Sequence, residues 1–150
     1  MIELKKITQQ NYKTCIALTT TPAQENFVAT NWYSLLESLY EENRYAWGIY
    51  TEDVMIGFLM FSYYPADETY SHDSWWIERL MIDQRCQNKG YGKKALMEGI
   101  AWFAQTIGEK ELRISAVKTN APALHLYEQL HFVRTGEEIE GETVLLKQIK

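Results

Sequence analysis

The chain has 150 residues, 46% of them apolar, with 15 Lys and Arg against 20 Asp and Glu. That suits one domain around one core and argues against disorder, and a net charge of −5 speaks against the clustered basic surface that nucleic acid requires. No apolar run of about 18 residues is present to span a membrane, and Met1-Ile2-Glu3-Leu4-Lys5-Lys6 lacks the apolar stretch of a signal peptide. Cys15 and Cys86 are too few for a disulfide framework or a four-ligand zinc site. His72, His125 and His131 show no metal-ligand spacing, so no metal is expected and a reducing, cytoplasmic setting is the default.

Met1 to Ile7 alternates apolar and polar residues and reads as a strand. Thr8 to Thr20 reads as a short helix with Thr8 as N-cap. Pro22 to Glu42 reads as a second helical region, broken near Asn31. Phe27, Val28, Trp32, Leu35, Leu36, Leu39 and Tyr40 recur there at helical spacing. Arg44–Tyr50 and Val54–Tyr64 read as a hairpin turning at Thr51-Glu52-Asp53. Pro65 to Asp73 is loop-like. Ser74–Ile82 is a nearly apolar strand, as expected of a buried central position. Gly90–Ile107 reads as a long helix with Ala95, Leu96, Ile100 and Phe103 on one face. A strand at Glu111–Val117, a helix at Ala121–Leu130, and strands at Phe132–Thr135 and Thr143–Ile149 complete the pattern. One α/β domain over residues 1–150 follows, with helices packed on a sheet. Periodicity does not give the strand order.

Charge is unevenly spread. Residues 15–78 carry ten acids and only Arg44 as a base, while residues 79–150 carry eleven bases and nine acids. The second part holds Gln87-Asn88-Lys89-Gly90-Tyr91-Gly92-Lys93, which leaves a buried strand and enters a long helix. Two glycines let the backbone approach a ligand closely, and the free N–H groups at a helix start suit a phosphate or pyrophosphate. Lys89, Lys93 and Lys94 add positive charge. The segment is neither a Gly-x-Gly-x-x-Gly dinucleotide turn nor a nucleoside-triphosphate loop.

Gln87-x-x-Gly90-x-Gly92 resembles the Gln/Arg-x-x-Gly-x-Gly/Ala signature of the GNAT acetyltransferase superfamily. Asn120-Ala121-Pro122-Ala123-Leu124-His125-Leu126-Tyr127 resembles its Asn-x-x-Ala-x-x-x-Tyr segment. Within it, the chain is most similar to the bacterial spermine/spermidine (diamine) acetyltransferases, through Gln24-Glu25-x-Phe27-Val28-Ala29-x-Asn31, Ser34-Leu35 and Trp76-Ile77-Glu78-Arg79-Leu80-Met81-Ile82. One departure is His131, where the family usually has the glycine that ends a helix.

The resemblance implies the GNAT fold: a mixed, mostly antiparallel sheet of six or seven strands with helices on both faces. It implies an acetyl-CoA-dependent N-acetyltransferase acting on a primary amine of a polyamine such as spermidine or spermine, by direct transfer in a ternary complex. Pyrophosphate would sit on Gln87, Asn88, Lys89, Gly90, Tyr91 and Gly92, with Lys93 at the helix start. Leu80, Met81 and Ile82 belong to the strand that meets the pantetheine arm, Leu80 and Ile82 through main-chain groups. A splayed gap beside Glu111–Val117 would admit it. Asn120 and Ala123 join the cofactor set, and Asn120 also suits a helix cap. Tyr127 matches the general acid for the sulfur. Glu78 matches a glutamate that deprotonates or orients the amine. Neighbours Glu78 and Arg79 are expected on opposite faces, which weakens a pairing between them.

A polycation needs spaced carboxylates, apolar walls and aromatic faces. Glu25, Glu37, Glu41, Trp32 and Asp73, with Glu78, are the substrate-binding expectations; Glu37 and Glu41, four apart, share a helix face. An aminoglycoside- or streptothricin-like antibiotic would suit the same acids, and a protein amine could also serve as acceptor. A non-catalytic acyl-CoA-binding sensor would share the fold without the chemistry. No membrane or nucleic-acid partner is expected. The family often dimerises, so a homodimer stands as an open expectation that no residue here decides.

Overall fold

A computed structural model describes every residue except Asn26 and Val28. Val28, read into the second helical stripe and the Gln24–Asn31 resemblance, lies outside the described residues. Strands β1 (Ile2–Lys6), β2 (Arg44–Thr51), β3 (Val54–Tyr64), β4 (Ser74–Ile82), β5 (Glu111–Val117), β6 (Val133–Ile139) and β7 (Glu142–Gln148) form one seven-stranded sheet in the order β1-β2-β3-β4-β5-β7-β6. Every pairing is antiparallel except β4 with β5. Helices are α1 (Tyr12–Ala17), α2 (Asn31–Tyr40), α3 (Tyr91–Trp102) and α4 (Ala121–Gln129).

Two cores explain the sequence pattern. One face carries Leu59, Phe61, Ile77, Leu112, Ile114 and Leu145 against Ala95, Leu96 and Phe103, and against Leu124 and Tyr127 of α4. The other carries Met55, Phe58, Met60 and Met81 against Cys15, Leu18 and Leu35. The central strand β3 is therefore buried on both faces and reads as a continuous apolar run. Each large side chain fully buried here stabilises the fold by roughly 1.5–3 kcal/mol. Trp75 and Trp76 both pack inward, although alternation along a strand with one solvated face would send one of them to the surface. Trp76 is buried, and the Trp75 ring meets Tyr45, Tyr63 and Phe103.

Local chemistry sets the element boundaries. Glu52 and Asp53 both take positive φ, 50° and 64°, the two-residue turn that matches hairpin twist. The first helix starts at Tyr12 rather than Thr8, because Thr8 opens a turn: its Oγ1 accepts from Gln10 N, and Asn11 Oδ1 accepts from Thr8 N. The second helical region divides into a single 3₁₀ turn at Pro22–Gln24 and α2. The long helix is α-helical to Trp102 and closes as a π turn over Phe103–Ile107, with Gly108 N donating to Phe103 O. Trp102 and Phe103 both pack on Phe61 there.

The strands β4 and β5 run parallel but pair only at Trp76–Arg113 and Ile77–Ile114. Beyond Ile77 they part, and the edge of β4 facing β5 is free of ladder bonds. Opposite that point the β3–β4 register slips between Met60–Arg79 and Phe61–Ile77, which leaves Glu78 as the extra residue of a β-bulge.

Candidate active site

A cleft of about 1210 Å³ opens where β4 and β5 part. It runs from the turn before α3, along β4 and α4, to the 65–70 loop and the β6–β7 turn. Its lining brings together Glu37, Glu78, Leu80, Met81, Ile82, Gln87, Asn88, Gly90, Tyr91, Gly92, Asn120, Ala123 and Tyr127. Lys89 and Lys93 are exposed beside the turn but do not line the cleft. Of the acceptor residues expected from sequence, four stand outside the lining. Glu25 sits exposed in the turn after Pro22–Gln24. Glu41 follows the last residue of α2, its N–H donating to Glu37 O. Trp32 lies half exposed against Tyr33, and Asp73 folds back to accept from Ala66 N.

The turn between β4 and α3 is held rigidly. Asp83, buried with its side chain 2% exposed, accepts from Thr19 N, Arg85 N and Arg85 Nε at 3.0, 3.2 and 2.7 Å. Burial by itself would raise this carboxyl; the bonds from Thr19 and Arg85 outweigh it and hold it below the ordinary value. Gln24 and Gln87 bind each other through both amides, at 2.8 and 3.1 Å, and Gln87 Nε2 also donates to Ile82 O at 2.9 Å. The Gln87 side chain is thus a staple, and it bonds the carbonyl of Ile82, a residue whose main-chain groups the family resemblance assigns to the pantetheine arm. Asn88 and Gly90 take φ of 62° and 79°, and an added Cβ at Gly90 would meet nothing within 4 Å. The open backbone here, with the unpaired N–H groups that begin α3, fits an anionic pyrophosphate. The unpaired edge of β4 fits an extended amide-containing arm. Both features match coenzyme A.

Tyr127, on α4, also lines this cleft. Asn120 caps that helix, its Oδ1 accepting from Ala123 N at 3.4 Å. Tyr127 is buried, and burial, reinforced by the Glu142 charge, pushes its phenol well above the ordinary value. Among the described residues nothing hydrogen-bonds its hydroxyl, which therefore stays protonated and free to donate. Glu142 also lines the cleft, its Oε1 held by Ser115 Oγ at 2.9 Å.

The bulge corrects one expectation. Glu78 and Arg79 lie on the same side, because the extra residue breaks the strict alternation of β4. Arg79 Nη1 sits 3.2 Å from Glu78 Oε1, and Arg79 Nη2 sits 3.0 Å from Glu37 Oε1. Tyr64 Oη donates to the same Glu78 Oε1 at 2.7 Å, and Arg44 Nη2 donates to Tyr64 Oη at 3.0 Å. Glu78 Oε2 has no partner among the described residues.

Five carboxylates line the cleft: Glu37, Asp67, Glu78, Glu140 and Glu142. Among the described residues Arg79 is the one cationic side chain in the lining. Sequence reasoning misses Glu140 and Glu142 because they belong to the half of the chain with net positive charge. The available signal is local: Glu137-Glu138-Ile139-Glu140-Gly141-Glu142 places four acids at a hairpin turn.

A mixed sheet parted at its parallel pair, with a glycine turn and a buried phenol lining the opening, defines an enzyme that takes an acyl group from a CoA thioester. The match of residues 8–132 to the family described as "Acetyltransferase (GNAT) family" agrees, and the chain belongs to that family. It is 30% identical over 151 residues to the spermine/spermidine N(1)-acetyltransferase of Bacillus subtilis (strain 168), covering 99% of each chain. It superposes on spermidine N-acetyltransferase from Vibrio cholerae, solved with CoA and spermine, at TM-score 0.75 with 14% identity, covering 98% of this chain and 95% of that one. An aminoglycoside N(6')-acetyltransferase from Legionella pneumophila matches at TM-score 0.74 with 16% identity, covering 99% and 92%. Acetyl-CoA is the donor of this family. No helix among the described residues is long and apolar enough to cross a membrane.

Proposed function

We propose that the protein acetylates a primary amine of spermidine or spermine by direct transfer from acetyl-CoA in a ternary complex. The observation that carries this reading is the cleft lining, where five carboxylates and one guanidinium lead to a buried, protonated phenol. Its sequence relative from B. subtilis, named for spermine and spermidine, points the same way.

The bound thioester supplies the acetyl group. Glu78, through the free Oε2, takes the proton from the attacking ammonium, directly or through a water. Tyr127 gives its proton to the departing sulfur. Gly90 to Gly92 and the parted edge of β4 hold the donor, while Glu37, Asp67, Glu140 and Glu142 line the acceptor's way in. The free thiols Cys15 and Cys86 suit a reducing cytoplasm, where we place the enzyme.

The test is a steady-state panel with acetyl-CoA and spermidine, spermine, short diamines, monoamines, aminoglycosides and lysine peptides. Turnover on spermidine or spermine with the highest kcat/KM supports the proposal. Turnover restricted to antibiotics or peptides overturns the acceptor. CoA binding without turnover on any amine overturns catalysis in favour of a sensor.

A further inference from the structure

We propose that Arg79 is a specificity-determining positioning residue: a built-in counter-cation that holds Glu37 and Glu78 together and lowers the charge an incoming amine meets. This rests on the acceptor being a polyamine, and it adds a rule for how strongly that acceptor is selected by charge.

The geometry is closed on three sides. Arg79 Nη1 reaches the Glu78 main-chain oxygen at 2.9 Å and Glu78 Oε1 at 3.2 Å, while Nη2 reaches Glu37 Oε1 at 3.0 Å. The three side chains are only 19%, 21% and 16% exposed for Arg79, Glu37 and Glu78. Arg79 Nε is buried without a partner among the described residues. Two half-buried carboxylates brought this close repel each other unless a cation lies between them. A guanidinium suits that place, being planar, forked and weakly hydrated. The β4 bulge delivers it there by breaking the alternation of side chains.

The consequence concerns selection among amines. Without Arg79, Glu37 and Glu78 would present two negative charges; with it they present one. The contacts on each carboxylate fall on Oε1, leaving one Oε2 apiece for a substrate ammonium. The pair therefore grips a primary amine by geometry and discriminates little by the total charge behind it. The remaining carboxylates, Asp67, Glu140 and Glu142, stand elsewhere in the lining.

The experiment compares wild type, Arg79→Gln, Arg79→Lys, Glu37→Gln and the double Glu37→Gln/Arg79→Gln. Spermidine and a monoamine of similar length are the acceptors, at low and high salt, with calorimetric spermidine binding in parallel. Arg79→Gln should lower KM for spermidine relative to the monoamine by about tenfold, the size expected of one nearby unit charge. Its spermidine KM should become steeper in salt while KM for acetyl-CoA stays unchanged. Arg79→Lys should restore the wild-type ratio. The double variant, with the charge count rebalanced, should also return towards wild type. An unchanged spermidine-to-monoamine ratio and salt slope in Arg79→Gln overturns the proposal, as does weaker spermidine binding. Should Arg79→Gln fail to fold, Glu37→Gln still decides: it must shift the ratio towards the monoamine, and no shift overturns the proposal. A wild type that acetylates no polyamine defeats the functional reading instead, before any variant is made.

Discussion

The Tyr64 hydroxyl donates to Glu78 Oε1 across 2.7 Å, joining the end of β3 to the bulge of β4. Burial first, then the charge of Glu78 and this bond, push the phenol well above its ordinary value, so Tyr64 remains a donor. In the proposed mechanism this bond fixes which carboxylate oxygen is left for substrate. Tyr64→Phe should lower kcat for spermidine about tenfold, the size of one hydrogen bond to a charged group. KM for acetyl-CoA should not move, since Tyr64 lies away from the glycine turn. Steady-state kinetics with each substrate varied in turn checks this; equal changes in both KM values would contradict it.

Tyr127→Phe should reduce kcat by about a hundredfold or more, the usual size of a lost general acid. Nothing among the described residues bonds the hydroxyl, so its removal should leave thermal stability unchanged or slightly higher. A variant with normal turnover across pH 6 to 9 would remove Tyr127 from proton delivery. Glu142→Gln tests the neighbouring charge. Less repulsion should bring the phenol down, so ultraviolet difference titration of Tyr127 should begin at lower pH than in wild type.

Most strands are legible in the sequence because each is punctuated locally. Ser74–Ile82 is bounded by a polar loop and a glycine turn, and β2–β3 by a turn of Glu52 and Asp53. The proposed cofactor end is legible because one continuous turn, Gln87 to Gly92, builds it. The acceptor end is not, because it is assembled from α2, β3, β4 and the β6–β7 turn, which only the fold brings together. The spacing of Glu37 and Glu41 predicts one shared helix face, but α2 ends at Tyr40 and Glu41 turns to extended backbone, so only Glu37 is held inward by Arg79. The segment around Asn31, Ser34 and Leu35 resembles polyamine enzymes through buried positions. Asn31 Nδ2 donates to Cys15 O at 2.8 Å, tying α2 to α1, so these residues speak for the scaffold more than for the acceptor.

Three acids of raised pKa, the buried Cys15 and Tyr127 and the half-buried Tyr64, make the fold sensitive to alkali. Burial pushes Cys15 from 9.0 up to about 12, and Tyr64 and Tyr127 are raised too. Each folded-state value lies above the unfolded one, so stability is intact below pH 9. It falls as pH rises, because the unfolded chain releases these protons first. Cys15 acts from pH 9 and the tyrosines from pH 10, each contributing up to about 1.4 kcal/mol per pH unit. Urea unfolding at pH 8, 9.5 and 10.5 should show the decline, and Cys15→Ala should flatten the step between 9 and 10.

Asp83 works in the opposite direction. Its folded-state value is depressed, so its contribution is present above the unfolded value and is lost as pH falls through the acid range. Asp83→Asn should remove about 2 kcal/mol at neutral pH, through weakened bonds from Thr19 N and the turn. Because that turn leads into Gly90 and the start of α3, KM for acetyl-CoA should rise several-fold while KM for spermidine stays put. A variant that loses stability but keeps its acetyl-CoA KM would show that the tether serves folding alone.

His131 carries a backbone that glycine would carry more easily. It takes φ of 70° just past α4, where His131 N donates to Glu128 O and Phe132 N to Tyr127 O, each at 3.1 Å. Those two bonds are a Schellman helix end, whose left-handed residue is usually glycine. The family's usual helix-ending glycine is therefore absent while its conformation is kept. The bonds and burial of Phe132 hold the histidine in a region that costs a side-chain-bearing residue roughly 1 kcal/mol. His131 is exposed and lies outside the cleft lining, so His131→Gly should relieve that strain with no effect on the site. The expected outcome is a gain of about 0.5–1 kcal/mol in urea unfolding, less whatever the freer unfolded chain takes back, with kcat and both KM values unchanged. A loss of stability would mean that the imidazole makes a favourable contact outweighing its backbone.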